Sequence, residues 1–177
     1  GVTNPVLFLE VDGVLNTHAT KLGADGVRDF ESRQSRFTNV VEIAKVAAVA
    51  RLVEACSARI VVSSSWRNAF ATSADFAAAI GIARPLADAP DLFHRDWRTE
   101  QKLSSARCHE IKWWLDNHEF VRRYAVIDDD MVFPPDWVHA KHEVRTDASV
   151  GITNGDLNRA ASLLIGSGEL RGRDWFA

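Results

Sequence analysis

The chain has 177 residues, of which 46% are hydrophobic and 25% are charged, and its formal net charge at pH 7 is −3. These are ordinary values for a globular protein with a hydrophobic core, and we expect one domain over residues 1–177. The small net charge excludes a broad field that would attract nucleic acid or an anionic membrane, although a local basic patch is compatible with it. Cys56 and Cys108 are too few for a disulfide scaffold, no segment approaches the ~20 apolar residues of a membrane span, and no signal peptide is visible. A cytoplasmic protein with reduced thiols and no membrane partner is therefore expected.

A short, continuously apolar run predicts the first buried strand, at Val6–Leu9. Residues 16–38 are mainly polar and are expected to form a short, irregular insertion after that strand. Either Thr38 or Asn39 then caps a helix that runs to about Ser57, in which apolar residues recur at helical spacing.

Predicted strands and helices alternate over the rest of the chain. We expect strands at Arg59–Val62, Tyr124–Ile127 and Val138–Val144, helices at 73–81, 104–118 and 155–165, and a surface loop at 84–104. This alternation indicates an α/β fold, with a doubly wound, mainly parallel sheet that has helices on both faces.

Polar side chains follow the predicted strands at their carboxyl ends. Glu10 and Asp12 follow the first strand, Ser63–Ser65 the second, and Asp128–Asp130 the third. Parallel strands bring these ends to one edge of the sheet, where ligands bind in such folds. Clustered carboxylates repel one another unless a cation neutralises them, and oxygen ligands without a histidine or cysteine cluster suit Mg²⁺. A solvated turn or a helix cap explains each segment separately, but their common position favours a phosphoryl-transfer site.

Three segments resemble motifs of the haloacid dehalogenase-like (HAD) phosphohydrolases. "FLEVDGVLN" resembles the first motif, "IVVSSSWRN" the second and "YAVIDDD" the fourth, and together they most resemble small, nearly capless members, some of which occur in nucleic-acid repair proteins. The resemblance implies a Rossmannoid fold with a minimal cap. It also implies Mg²⁺-dependent hydrolysis of a phosphomonoester through an acyl-phosphate on the first acid of the first motif.

The resemblance also implies a role for each matching residue. Position 10 is the nucleophile, and Asp12 is the general acid and then the general base, with both residues helping to hold Mg²⁺. Ser64, or with less support Ser63, donates a hydrogen bond to the transferring phosphoryl group. The further candidates are the metal ligands Asp128 and Asp129, the third-motif cation Arg107 with Lys112 as second choice, and the substrate-binding residues Gly13, Ser63, Ser65 and Arg67.

Glu10 departs from the family pattern, which has an aspartate at this position. The extra methylene advances the carboxylate by roughly 1.5 Å, and a misplacement of about 1 Å can lower a rate on the order of 10²-fold. An engineered inactivation, a natural pseudo-phosphatase and a site whose backbone has shifted to compensate are all compatible with the sequence. We expect the fold and the metal site to be kept and the activity to be impaired.

The short insertion leaves the expected site open, which favours a bulky phosphorylated substrate such as a polynucleotide end or a phosphoprotein. Three arginines of the insertion could touch a phosphate chain or merely solvate a loop: Arg28, Arg33 and Arg36. Trp66 and Trp97 could stack a base. The six histidines show no ligand spacing and are expected at the surface.

Two alternatives to a phosphatase come from other functional classes. A receiver-like phosphoacceptor module also binds Mg²⁺ at strand ends, but it carries its phosphorylated aspartate on the central strand, and we expect the central strand here to be Arg59–Val62, which ends in serines. A catalytically inactive HAD-like protein that binds phosphate or a partner is the second alternative, and Glu10 is its main support.

Overall fold

A computed structural model describes residues 3–23, 41–81, 91–100 and 106–177. One parallel sheet organises these residues, with the strand order β3-β2-β1-β4-β5. Its strands are β1 (Val6–Leu9), β2 (Arg59–Val62), β3 (Phe93–Arg98), β4 (Tyr124–Asp128) and β5 (Glu143–Arg145). The helices are α1 (His18–Gly23), α2 (Ile43–Ala55), α3 (Ser73–Ile80), α4 (Arg107–Asp116) and α5 (Asn154–Ile165), with 3-10 turns at Ser65–Ala69 and Val138–His142.

The apolar residues of β1 alternate between two hydrophobic clusters, one on each face of the sheet. Phe8 packs in a cluster with Ile111 and Trp114 of α4. Leu7 and Leu9 pack in the other cluster, among residues of α2, α3 and α5. Because both faces are covered by helices, β1 is fully buried and its continuous apolar sequence is explained. The doubly wound α/β prediction is confirmed.

Local sequence sets the ends of two helices as expected. In α3, Thr72 accepts a hydrogen bond from the Asp75 amide, and Gly81 ends the helix with a φ of 84°. In α5, Thr153 and Asp156 form a reciprocal capping box.

Other predicted boundaries were wrong. Helix α2 begins at Ile43, after the predicted start, and residues 24–40, which hold the three insertion arginines, lie outside the described part of the chain. A short helix, α1, lies in the predicted irregular insertion. Strand β3 lies within residues 84–104, where a loop was predicted. Its residues are mostly polar and it pairs with a neighbour on one edge only, so no apolar run marks it in the sequence. The predicted Val138–Val144 strand begins with a 3-10 turn, and only Glu143–Arg145 pairs with β4.

The central strand is β1. The expectation that β2 is central, which was used as an argument against a receiver-like module, was therefore wrong. The central strand therefore ends at Glu10 and not in serines. Cys56 and Cys108 are free, as expected. Both are buried, and burial raises the pKa of the Cys56 thiol to about 11. Among the described residues, no helix has both the length and the apolar character that a bilayer crossing requires.

Candidate active site

The strand register places three polar residues in one row across the sheet. Leu9 of β1 pairs with β2 on one side and with Ile127 of β4 on the other. One residue further on, the Ser63 amide donates to the Leu9 carbonyl at 3.0 Å and the Glu10 amide donates to the Ile127 carbonyl at 3.1 Å. Side chains alternate between the two faces along a strand. Ser63, Glu10 and Asp128 each come two residues after an apolar residue that packs on the face covered by α4, so their side chains lie on that same face.

Arg107, the first residue of α4, joins two of these side chains. Its Nη1 donates to Glu10 Oε2 and, at 3.0 Å, to Asp128 Oδ2. Glu10 and Asp128 are only 6% and 3% exposed, so the guanidinium compensates two buried carboxylates. A cation at a helix N-terminus is disfavoured by the helix dipole, and the two carboxylates offset that disadvantage. Lys112, the second candidate cation, instead pairs with Asp116 at 2.7 Å on the exposed side of α4.

The Glu10 carboxylate has a partner on each oxygen. Its Oε1 accepts a hydrogen bond from the amide of the next residue, Val11, at 2.8 Å, while Arg107 holds Oε2. The longer side chain thus folds back on its own backbone.

Asp12 is oriented by two neighbours that the sequence interpretation did not assign to it. Asn16 Nδ2 donates to Asp12 Oδ1 at 3.1 Å, and Trp66 Nε1 donates to Asp12 Oδ2 at 3.2 Å. The Asn16 side-chain oxygen Oδ1 also accepts from the Gly13 amide at 2.9 Å. Trp66 is buried and holds Asp12, so the prediction that Trp66 stacks a base was wrong. Trp97 is likewise part of the hydrophobic core.

Gly13 permits a close approach between the first and fourth motifs. Its φ is +76°, and a Cβ added there would lie 2.5 Å from Asp129 Oδ2 and 2.7 Å from Asp129 Cβ. Any other residue would therefore be strained and would displace the Asp129 side chain. The Thr146 hydroxyl donates to the Gly13 carbonyl at 2.8 Å and fixes the turn from a third segment.

The residues Asp128, Asp129 and Asp130 offer carboxylate oxygens that all lie within 4.8 Å of one another. Burial, then a hydrogen bond that protonated Asp129 donates to Asp128 and the charges of Asp128 and Asp130, raise the pKa of Asp129 to about 6. The Asp130 amide satisfies one oxygen of Asp128 at 2.9 Å. A set of hard oxygen donors with excess negative charge is what Mg²⁺ requires, so these side chains fit that ion.

The family model described as the HAD domain in Swiss Army Knife RNA repair proteins matches residues 6–157 of the chain. The chain belongs to this family. Among curated proteins and among solved structures, no match was found. The matched range contains all five strands and every candidate site residue. Family membership makes this a HAD-like domain of the phosphohydrolase type, and HAD proteins generally use Mg²⁺.

The second motif of this HAD domain places its two candidate serines differently. Ser64 Oγ accepts from the Trp66 amide at 3.1 Å and caps the 3-10 turn. Ser63 Oγ is buried and has no hydrogen-bond partner among the described residues, although it lies in the row with Glu10. Ser65 is exposed. Of the two hydroxyls, the geometry favours Ser63 as the donor to a ligand, in contrast to the order expected from the motif.

Arg67, predicted to bind substrate, is 2% exposed and is paired within the protein. Its Nη1 donates to the Ser64 carbonyl at 2.6 Å, and its Nη2 donates to Glu110 Oε2 at 2.8 Å. Glu110 lies on α4, one turn after Arg107. Arg67 therefore ties the serine turn of the HAD domain to the helix that carries the site cation.

Proposed function

We propose that this HAD domain is a Mg²⁺-dependent phosphomonoesterase for phosphorylated nucleic-acid ends, and that Glu10 limits its turnover. The observation that carries the proposal is the shared contact of Arg107 with Glu10 and Asp128 at the edge of the sheet. A cation in contact with two buried carboxylates, with the Ser63 hydroxyl in the same row of the sheet, supports a site that stabilises a transferring phosphoryl group.

In the proposed reaction, a carboxylate oxygen of residue 10 attacks phosphorus while the bond from phosphorus to the leaving oxygen breaks. Asp12 gives its proton to that leaving oxygen, and the substrate departs as an alcohol. Asp12 then takes a proton from a water molecule that attacks the acyl-phosphate, which releases inorganic phosphate and restores the carboxylate. The hydrogen bonds from Asn16 and Trp66 support this role because they fix the direction of the Asp12 carboxylate.

Arg107 and the Ser63 hydroxyl would donate hydrogen bonds to the phosphoryl oxygens. The residues that would hold Mg²⁺ are Asp128, Asp129, the residue 10 carboxylate and the Asp12 carbonyl. When bound, the ion supplies positive charge that neutralises the carboxylates and the phosphoryl group. The raised pKa of Asp129 supports this assignment, because burial and the neighbouring carboxylates disfavour its ionised form and a bound cation would offset both effects.

Glu10 works against turnover for a reason that goes beyond its length. To attack, its carboxylate must give up the Val11 amide on one oxygen or Arg107 on the other. The same contacts support the second candidate function, a catalytically inactive domain that binds a phosphate group through Arg107 and Ser63.

The substrate class rests on the family, whose description names RNA repair proteins. A polynucleotide end carries a terminal phosphomonoester. Such a substrate agrees with the family's description, and it is bulky, as an open site favours.

Glu10→Asp is the decisive variant. Glu10→Asn is its matched control, because asparagine has the same side-chain length as aspartate but no charge. We would measure phosphate release with Mg²⁺ from an aryl phosphate and from RNA oligonucleotides phosphorylated at the 3′ or the 5′ end. A gain on the order of 10²-fold in Glu10→Asp, absent in Glu10→Asn, supports the proposal. Phosphate binding without turnover in any form would support the inactive binding domain. Stable labelling by acetyl phosphate would support a receiver-like module.

A further inference from the structure

A second group of metal-ligating side chains lies at the edge of the sheet, between β3 and the end of α4. β3 pairs with β2 through Phe93 and Arg98, which face Ile60 and Val62, so residues 94–97 form a bulge opposite a single β2 residue. The bulge brings His94 and Asp96 to His118, which follows α4. Ligand atoms of these three residues lie within 4.8 Å of one another. The sequence showed no ligand spacing among the histidines, whereas the fold brings two of them together with Asp96.

The hydrogen bonds of His118 require a positive charge that a neutral imidazole ring does not supply. Its Nδ1 lies 2.6 Å from the Trp114 carbonyl, which can only accept, so Nδ1 carries a proton. Its Nε2 lies 2.6 Å from Asp96 Oδ2. In a neutral ring with its proton on Nδ1, Nε2 has a lone pair that faces a carboxylate. At 2.6 Å such a contact requires a second proton on the ring, and a metal ion bound by both atoms would replace that proton with the two atoms further apart.

His94 offers a ring nitrogen to the same group. Burial and then the nearby His118 lower the pKa of His94, which favours its neutral ring. His94 Nδ1 has a lone pair that accepts from the Asp96 amide at 2.9 Å, and an ion can replace that hydrogen bond without a change of tautomer.

The surrounding residues hold the group in place. The His118 ring stacks on the Trp114 indole, with centroids 3.7 Å apart and an angle of 9° between the planes. Trp114 Nε1 donates to the Asp96 carbonyl at 3.0 Å. A metal-binding histidine commonly donates its other N–H to a backbone carbonyl, as His118 does here. A cleft of about 360 Å³, lined by Asp96, Trp114 and His118 among others, gives an ion and its waters access from solvent.

We propose that His94, Asp96 and His118 bind a transition-metal cation of the Zn²⁺ type. Two imidazoles and one carboxylate suit Zn²⁺, Cu²⁺ or Ni²⁺, whereas the carboxylates at the strand ends suit Mg²⁺. The ion would fasten the β3 bulge to the end of α4, the helix whose other end carries Arg107. The proposal does not depend on the proposed phosphatase function.

Calorimetric titration of the protein with Zn²⁺ in excess Mg²⁺, which occupies the strand-end carboxylates, tests the proposal. We expect one Zn²⁺ per chain and a rise in the melting temperature with Zn²⁺. Asp96→Asn and His118→Gln should each weaken binding about 10-fold or more. His109→Asn, which changes an exposed histidine of α4, should leave binding unchanged. Asp96 tolerates substitution because its side chain is 59% exposed.

Two outcomes would overturn the proposal. One is the absence of Zn²⁺ binding, with NMR showing that both nitrogens of His118 are protonated at neutral pH, since a proton would then fill the gap. The other is Zn²⁺ binding that is equal in the wild type, Asp96→Asn and His118→Gln. The visible absorption spectrum of the wild-type protein with Co²⁺ is an independent check that needs no variant: bands of nitrogen and oxygen coordination support the site, and their absence contradicts it.

Discussion

The buried ion pair between Arg67 and Glu110 allows a quantitative prediction about how the second motif is held. In Arg67→Met, Glu110 loses its partner at 2.8 Å, and the Ser64 carbonyl loses a donor at 2.6 Å. Both ionic side chains are almost completely buried, so water cannot replace the lost guanidinium without opening the structure. We expect the variant to lose about 3–5 kcal/mol of unfolding free energy, the usual effect of removing one partner of a buried pair.

The size of this loss should depend on pH in a definite direction. Burial already raises the pKa of Glu110 above its ordinary value, and the charges of Arg67 and Arg107 oppose that rise. Without Arg67, the pKa of Glu110 rises further in the folded state. A carboxyl group with a raised pKa contributes stability that is complete below its unfolded pKa and is lost as pH increases through its folded pKa. The deficit of Arg67→Met should therefore be smallest at a pH below the ordinary pKa of a glutamate and largest at pH 8.

Urea unfolding at several pH values, with Arg67→Met, Glu110→Gln and the double variant, measures these effects. The double variant should be more stable than Arg67→Met at pH 8, because it removes the unpaired buried charge. A loss under about 1 kcal/mol for Arg67→Met, or a deficit that does not change with pH, would contradict the assignment of a buried, charged pair.

Three further predictions concern the strand-end site. Gly13→Ala should destabilise the fold by about 1–2 kcal/mol through its positive φ and weaken Mg²⁺ binding by displacing Asp129, as urea unfolding and calorimetry would measure. Asp129→Asn should raise stability at pH 8 without divalent ions and have little effect near pH 4, because the wild-type carboxyl, with its pKa of about 6, loses its stabilising contribution as pH rises through that value. In a Glu10→Asp background, Arg107→Gln should lower phosphate release about 10²-fold or more, whereas Lys112→Gln should not change it; equal losses would contradict the choice of cation.

The parts of the fold that could be predicted are those whose signal is local. Continuous apolar runs identified β1, β2 and β4, which are covered on both faces. β3 could not be found in this way because it is a bulged edge strand with a polar sequence, "FHRDWR", which takes its place only by pairing with β2. The resemblance of the motifs supplied the positions at the strand ends, since each follows its strand directly in the sequence.

The orientation of the site depends on contacts that the sequence does not display. Asn16 and Trp66 hold Asp12, and Trp66 is 54 residues away from it in the chain. Arg67 follows a serine motif and so resembles a phosphate-binding residue, but its acceptor, Glu110, lies 43 residues away. The "DGVLN" segment contains one usable local signal, since an asparagine four residues after an aspartate can reach back across a tight turn.

The central position of β1 has a consequence for the order in which the protein can be assembled during synthesis. β1 leaves the ribosome well before its neighbours in the sheet, β2 from residue 59 and β4 from residue 124. Until β4 is available, one long side of an apolar strand has no partner, and such an edge invites pairing with other chains. Nascent chains that end before Tyr124 should therefore be prone to aggregation. The strand-end carboxylates cannot gather before that strand is added, so a cation bound there would stabilise this domain only after Tyr124–Asp128 has been made.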